Sequence, residues 1–232
     1  MNRSFCALIV LVAGFSMPLP GVAQVTAAPK AAAAEVAAPP AAALAAVAEI
    51  DPETKAAAQR VAIGTCASCH GRQGRSIAPK FPMLAGQHAG YLTAQMHAFK
   101  TQTRGDPDAV GYMWGIAAIL DDGLIAGLSD YYSHQTPGAG TRTSGPVLEK
   151  GKAIYLSGDT ANGIPACAVC HGTKAEGNDN FPRLAGQHVQ YLTKQLRSFQ
   201  SNLRNVAVMH GVAQGMKIEA MTAVATYLES LD

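Results

Sequence analysis

The sequence lacks most of the features that assign a chain to a class at first sight. It has no basic or acidic run, and its formal charge is near balance, with 18 Lys and Arg against 16 Asp and Glu. That balance removes the electrostatic reason to expect nucleic acid as a partner, since such binding needs a concentrated positive face. After residue 23 no apolar stretch is long enough to span a bilayer. Strict apolar–polar alternation is missing as well, so no convincing strand is expected. Aromatic residues make up only 6% of the chain, so a small domain built from it has a thin core and needs a staple. Cysteine is rare too, with five in 232 residues, and their placement carries the rest of the reading.

The chain opens with "MNRSFCALIVLVAGFSMPLPGVAQ". One early positive charge at Arg3, an apolar run from Phe5 to Phe15 and a small-residue ending at Gly21-Val22-Ala23 predict a cleaved secretory signal peptide over residues 1–23. The apolar core is too short for a membrane span, which makes a retained anchor the weaker alternative. Cys6 lies in this segment without the small-residue cluster of a lipoprotein before it, so the mature chain keeps four cysteines. Residues 24–50 are almost entirely Ala, Pro and Val, and Pro29, Pro39 and Pro40 interrupt any helix there. Such a stretch buries too little to offset its chain entropy and reads as a flexible leader.

The remainder repeats itself. "FPMLAGQHAGYLTAQMHAFKTQTR" at 81–104 and "FPRLAGQHVQYLTKQLRSFQSNLR" at 181–204 share 13 of 24 positions. Met113 to Tyr131 aligns without gaps to Met209 to Tyr227. This is a tandem duplication rather than a solenoid. Between the copies "SHQTPGAGTRTSGP" has the Gly, Pro, Ser and Thr content of a linker. The expected organisation is domain 1 over 51–135, a linker over 136–145 and domain 2 over 146–232. Within each copy a first helix runs towards the cysteines, from Pro52 to Gly64 or Glu149 to Leu156. A second begins near Gln87 or Gln187, with Tyr91, Leu92, Gln95, Met96 and Phe99 forming one stripe, repeated at Tyr191, Leu192, Gln195, Leu196 and Phe199. The fold class is all-α.

The four mature cysteines stand in "CASCHG" at 66–71 and "CAVCHG" at 167–172. A disulfide or a redox-active dithiol explains neither the following histidine nor the lack of a βαβ pattern. A four-cysteine zinc site is unusual when the pairs lie in separate repeats. C-x-x-C-H is the attachment signature of c-type haem, in which two thiols bond the porphyrin edge and the next imidazole meets the iron. Two such motifs in register predict two covalently bound haem c groups, held by Cys66 and Cys69 and by Cys167 and Cys170, with His70 and His171 as proximal ligands.

The sixth ligand decides between carrier and enzyme. Met113 and Met209 are the only methionines retained at matching positions. Met83, Met96, Met216 and Met221 have non-methionine partners and read as core filler. The rival pair, His88 and His188, reads as surface or interface histidine. His/Met ligation is therefore expected at both irons. It raises the potential and fills the coordination sphere, leaving outer-sphere electron transfer.

The segments "CASCHG…FPMLAGQHAGYL…M" and "PACAVCHG…FPRLAGQHVQYL…M" resemble the diheme cytochrome c4 family, within the class I cytochromes c. The resemblance covers nearly all of residues 51–232. It implies two tandem class I cytochrome c domains related by pseudo-twofold symmetry, with haem propionates meeting near the interface. It also implies a periplasmic electron carrier rather than an enzyme. Its donor would be a cytochrome bc-type, quinol-oxidising complex or a dehydrogenase, and its acceptor a terminal oxidase or reductase. An alternative is the haem subunit of a periplasmic dehydrogenase, for instance one oxidising reduced sulfur. Peripheral membrane association through the leader is the weaker expectation. By family analogy the carbonyls of Pro82 and Pro182 accept the proximal imidazole N–H groups.

The copies also depart from one another. Copy two has the usual glycine in "EKGKAIYLSG", whereas copy one has alanines in "TKAAAQRVAIG". Copy one has nine residues from Arg104 to Met113 against five from Arg204 to Met209, and the longer loop holds Asp106-Pro107-Asp108. Unequal potentials at the two haems are expected.

Overall fold

A computed structural model describes residues 50–179 and 181–232. The signal peptide expected over 1–23 and the leader over 24–50 lie outside the described residues, apart from Ile50. All described residues belong to one compact unit. Helices are their only extended secondary structure: beyond three isolated bridges, no strand forms among them. No single helix among them is long and apolar enough to cross a membrane.

The first half starts at α1 (Pro52–Val61). Asp51 caps it by accepting from the Thr54 N–H at 2.9 Å, and Pro52 occupies the first turn, where its missing N–H costs nothing. A π-helical turn (Ala62–Cys66) carries the chain into α2 (Ala67–His70), which ends at Gly71. That glycine is obligatory: its φ is +73° and a Cβ there would lie 2.1 Å from the Arg75 carbonyl oxygen. Then follow α3 (Ala89–Lys100), a second π-helical turn (Ala109–Met113), α4 (Trp114–Ala118) and α5 (Asp122–Ser133). The second half repeats the order with α6 (Pro146–Ser157), α7 (Ala168–His171), α8 (Val189–Gln200), α9 (Ala207–Gln214) and α10 (Ile218–Glu229).

In each half the first and last helices pack against each other and the long middle helix closes the bundle. Leu92, Leu120, Ile125, Leu128 and Tyr132 form the first core. Ile154, Tyr155, Ile164, Met221, Val224 and Leu228 form the second. Met216 and Met221 are buried filler, as their unmatched positions predicted.

The helix contact that differs in sequence is the same in space. In the second half Gly151 of α6 sits against Ala223 of α10, where a Cβ would come within 1.9 Å of the Ala223 carbonyl oxygen. In the first half the glycine has changed sides. Gly127 of α5, aligned with Ala223, faces Ala58 of α1, and a Cβ on it would lie 2.8 Å from the Ala58 Cβ. The alanines of copy one thus do not open the crossing, because the opposing helix supplies the missing space.

Reciprocal hydrogen bonds join the halves and express their pseudo-twofold relationship. The Gln87 side chain donates to the Arg183 carbonyl at 2.9 Å and accepts the Arg183 N–H at 2.9 Å. Gln187 does the same to Met83, at 3.0 and 2.9 Å. Each glutamine thereby completes the backbone of the other half's F-P-x-L segment, at a buried position where an unpaired amide is costly. The segment between the halves is tied down as well: the Thr141 N–H donates to the Glu229 carbonyl, and the Gly140 N–H to the Asp232 carboxylate, both at 2.9 Å.

Candidate functional site

Each C-x-x-C-H motif lies on a short helix that delivers its histidine to the interior. His70 and His171 are only 8% and 7% exposed. The His70 Nδ1–H donates to the Pro82 carbonyl at 2.9 Å, and that of His171 to the Pro182 carbonyl at 3.1 Å. A proline carbonyl is well suited to this, since the following turn leaves it without a helical donor. The bond fixes the tautomer and leaves the Nε2 lone pair free for a metal. Burial lowers the pKa of both imidazoles, with the proline carbonyls opposing, so both rings are neutral at pH 7. Phe81 and Phe181 meet the rings edge-on, with centroids 6.2 and 5.9 Å away.

The thiols do not suit a redox dithiol. All four cysteines are half-buried. Burial pushes the Cys66 thiol up, and the Cys167 thiol up to about 11, the reverse of the lowered pKa that an attacking thiolate needs. Nor does a zinc site form: among the described residues no three His, Cys, Asp or Glu side chains gather closely enough to hold a metal ion.

A largely apolar cavity of about 370 Å³ opens beside the first motif and extends to the second half, where Pro182, Leu184, Tyr191 and Leu192 line it. Cys66, Cys69, His70 and Pro82 line it, and so do Leu92, Phe99 and Met113. The Tyr132 hydroxyl, another lining group, is buried without a hydrogen-bond partner. A cavity lined by two thiols, a neutral imidazole and a thioether, with an orphaned hydroxyl in its wall, fits a covalently held haem. Met113 ends its π-helical turn and packs, half-buried, against Phe99 and Ala117. Met209 is half-buried on α9, one residue before His210, whose Nδ1–H donates to the Phe199 carbonyl at 2.8 Å.

His88 and His188 do not line this cavity. Their Nε2–H groups reach across the contact between the halves, to the Glu176 carbonyl at 2.9 Å and the Ser76 carbonyl at 3.0 Å.

Between the halves lies a cluster that the periodicity did not reveal. The helical spacing puts Tyr91, Gln95, Tyr191 and Gln195 in apolar stripes, yet they turn to the interface. There they surround two guanidinium groups, Arg104 and Arg204, each only 6% exposed. Arg104 donates to Gln95 at 2.8 Å, Gln195 at 3.0 Å and Tyr191 at 3.3 Å. Arg204 donates to Gln195 at 2.9 Å, Gln95 at 2.7 Å and Tyr91 at 2.7 Å. Each stacks on the phenylalanine of its own half, Phe99 or Phe199, which offsets part of the desolvation. Arg104, Gln95 and Tyr91 also line the first cavity, so the cluster adjoins the site. Its only sequence signal is that Tyr, Gln and Arg are identical at matching positions of the two copies.

The comparisons agree with this architecture. The cytochrome c family model matches residues 55–122 and 148–232. Cytochrome c-552 of Acidithiobacillus ferridurans is 41% identical over 72% of this chain and 73% of its own length. Cytochrome c4 of Azotobacter vinelandii is 36% identical over 76% and 89%. A solved structure of Acidithiobacillus ferrooxidans cytochrome c4 superposes with a TM-score of 0.69 at 40% identity, over 72% of this chain and 98% of that one. A protein of Thiomonas intermedia described as a thiosulfate dehydrogenase electron acceptor is 34% identical over 76% and 82%. The two C-x-x-C pairs fit two covalently bound haem c groups, and the chain is an electron-transfer protein with redox partners rather than an enzyme. It belongs to the diheme cytochrome c4 family.

Proposed function

We propose that the mature protein is a periplasmic electron carrier with the signal peptide (1–23) removed. It would comprise a leader (24–50), haem domains at 51–135 and 146–232, and a linker at 136–145. Cys66 and Cys69 would hold the first haem with His70 and Met113 as axial ligands; Cys167 and Cys170 would hold the second with His171 and Met209. When bound, each haem supplies a reversible one-electron couple. The protein keeps both imidazoles neutral and oriented through Pro82 and Pro182, and presents a thioether near the first cavity that leaves no place for a substrate.

The observation that carries this reading is the reciprocal locking of the halves. Gln87, Gln187 and the Arg104–Arg204 cluster make one body from two haem-binding units. An electron taken up at one end then has a fixed internal route to the other. The donor is a quinol-oxidising bc-type complex or a dehydrogenase, and the acceptor a terminal oxidase or reductase. Any contact with a membrane partner beyond docking is assigned to the leader.

A second reading makes the chain the haem subunit of a periplasmic dehydrogenase complex, for instance one oxidising reduced sulfur, favoured by the similarity to the Thiomonas intermedia protein described as a thiosulfate dehydrogenase electron acceptor. Co-purification separates the two. Isolation as a free diheme protein that exchanges electrons with separate donors and acceptors supports the first, and stable co-purification with a catalytic chain supports the second. The haem assignment itself is tested by mass and spectrum. The mature holoprotein should carry two haems and show c-type bands, and its ferrous form should not bind carbon monoxide readily. A colourless or single-haem product overturns it.

A further inference from the structure

The segment that carries Met113, longer than its counterpart in the second half, is anchored at two places. At its start Asp106, 2% exposed, accepts from the Arg104 Nε–H at 2.7 Å and from the Gln195 amide at 3.3 Å. The Gly105 N–H donates to the Leu203 carbonyl at 2.9 Å. The second anchor lies nearer the thioether. Asp108 stands immediately before the π-helical turn Ala109–Met113, yet its side chain does not cap that turn. One carboxylate oxygen instead accepts from Lys194 of α8, in the second half, and the other lies 3.7 Å from the Lys80 ammonium. Lys80 in turn donates to the Tyr112 hydroxyl at 2.6 Å, one residue before Met113. Lys80, Asp108, Tyr112 and Met113 all line the cavity. The sequence does not repeat this arrangement. At the matching positions of the other copy stand Asn180, Ala94 and Val208 for Lys80, Lys194 and Tyr112, and no acidic residue lies between Arg204 and Met209.

We propose that Lys194 is a positioning residue for the first centre: acting from the second half through Asp108, it holds the Met113 turn closed over the sixth coordination position. This rests on the haem and ligand assignment given above. A longer connection has more conformations to lose when its thioether is in place. Burial offsets little of that cost, because between Asp108 and Met113 only Ala109 is buried while Val110, Gly111 and Tyr112 are exposed. An anchor at the base of so short a turn keeps the sulfur close to its target and raises its effective concentration there. The anchoring pair is partly covered, with the Lys194 and Asp108 side chains 33% and 24% exposed, so solvent and salt screen it incompletely. In the second half Met209 lies within the regular helix α9, and the neighbouring His210 is bonded to the Phe199 carbonyl of the same half. The second centre is thus closed from within its own half, and the first from across the interface.

The test is carbon monoxide binding to ferrous holoprotein whose two haems are confirmed by mass. At saturating gas the slow rate reports how often a thioether leaves its iron. Lys194→Met keeps the stem and removes the charge. It should speed one equivalent about fivefold, the worth of a partly screened ion pair, and leave the other unchanged. Asp108→Asn should do the same, and Lys194→Arg should stay near the wild-type rate. Met113→Ala identifies the accelerated equivalent: in that background it binds without saturating, and adding Lys194→Met changes nothing further. An unchanged rate in Lys194→Met and Asp108→Asn overturns the proposal. Equal acceleration of both equivalents also overturns it, because that is general loosening of the interface. A Met113→Ala spectrum that keeps the full thioether–iron band overturns the ligand assignment itself, and this proposal with it.

Discussion

Gly151 of α6 and Ala223 of α10 are packed backbone to backbone: a methyl group on Gly151 would stand 1.9 Å from the Ala223 carbonyl oxygen. Backbone has no rotamer with which to give way, so the helices must separate. Gly151→Ala should therefore destabilise the protein by about 1–3 kcal/mol, read as a lower denaturant midpoint. Gly127→Ala meets the Ala58 Cβ at 2.8 Å, with the Thr54 carbonyl oxygen at an ordinary contact distance of 3.4 Å. It should cost less than Gly151→Ala, and the double variant Gly127→Ala/Ala58→Gly should recover most of the loss. A cost for the double variant equal to that of Gly127→Ala would remove the case for a glycine exchanged across the crossing.

Gln87 satisfies both backbone groups of Arg183 across the interface. Gln87→Leu preserves much of the volume but leaves a buried N–H and C=O unpaired, at a cost of about 1–3 kcal/mol. Gln187→Leu should cost a similar amount because Met83 is held in the same way. Equilibrium denaturation checks both. Effects within a few tenths of a kcal/mol of zero would mean that water takes over these groups.

Replacing either expected thioether should open one centre without releasing its cofactor. Met113→Ala should lose about half of the thioether–iron absorption and allow the ferrous protein to bind about one equivalent of carbon monoxide, with Met209→Ala doing likewise at the other centre. Two haems should remain by mass in each. A variant with an unchanged spectrum would strike that methionine from the ligand set.

The Arg104–Asp106 pair should also be visible in the pH dependence of stability. Because the Asp106 carboxyl is held below its unfolded value, its contribution is complete above that value, near 3.9, and is lost as pH falls through the folded pKa. Asp106→Asn should thus be less stable than the wild type by about 3–5 kcal/mol at pH 7, and the difference should shrink below about pH 4. A difference that stays constant into strong acid would show that the carboxylate charge contributes nothing.

Much of the site is legible in the sequence because its chemistry is local. C-x-x-C-H places two thiols and an imidazole within one helical turn, and the same spacing recurs in register. The histidine-to-proline bonds follow from the paired F-P-x-L segments once the family resemblance is recognised. The stripes on α3 and α8 were legible only as stripes. Leu92 and Phe99 face a core, but Tyr91 and Gln95 on the same helix face a guanidinium from the other half. Periodicity records which positions are covered; it does not say what covers them.

By itself, then, the sequence determined the duplication, the helical class, the two attachment motifs and the candidate ligands, all of which depend on residues near one another along the chain. The tertiary structure decided that Gly127 replaces the missing glycine of α1. It also decided that Gln87 and Gln187 knit the halves together, and that Asp106 sits buried against one of two otherwise equivalent arginines. The first two depend on pairs some seventy to a hundred residues apart, the third on the Gln195 amide brought to Asp106 from the other half, and all on the cost of leaving charges and amides unpaired where water is excluded.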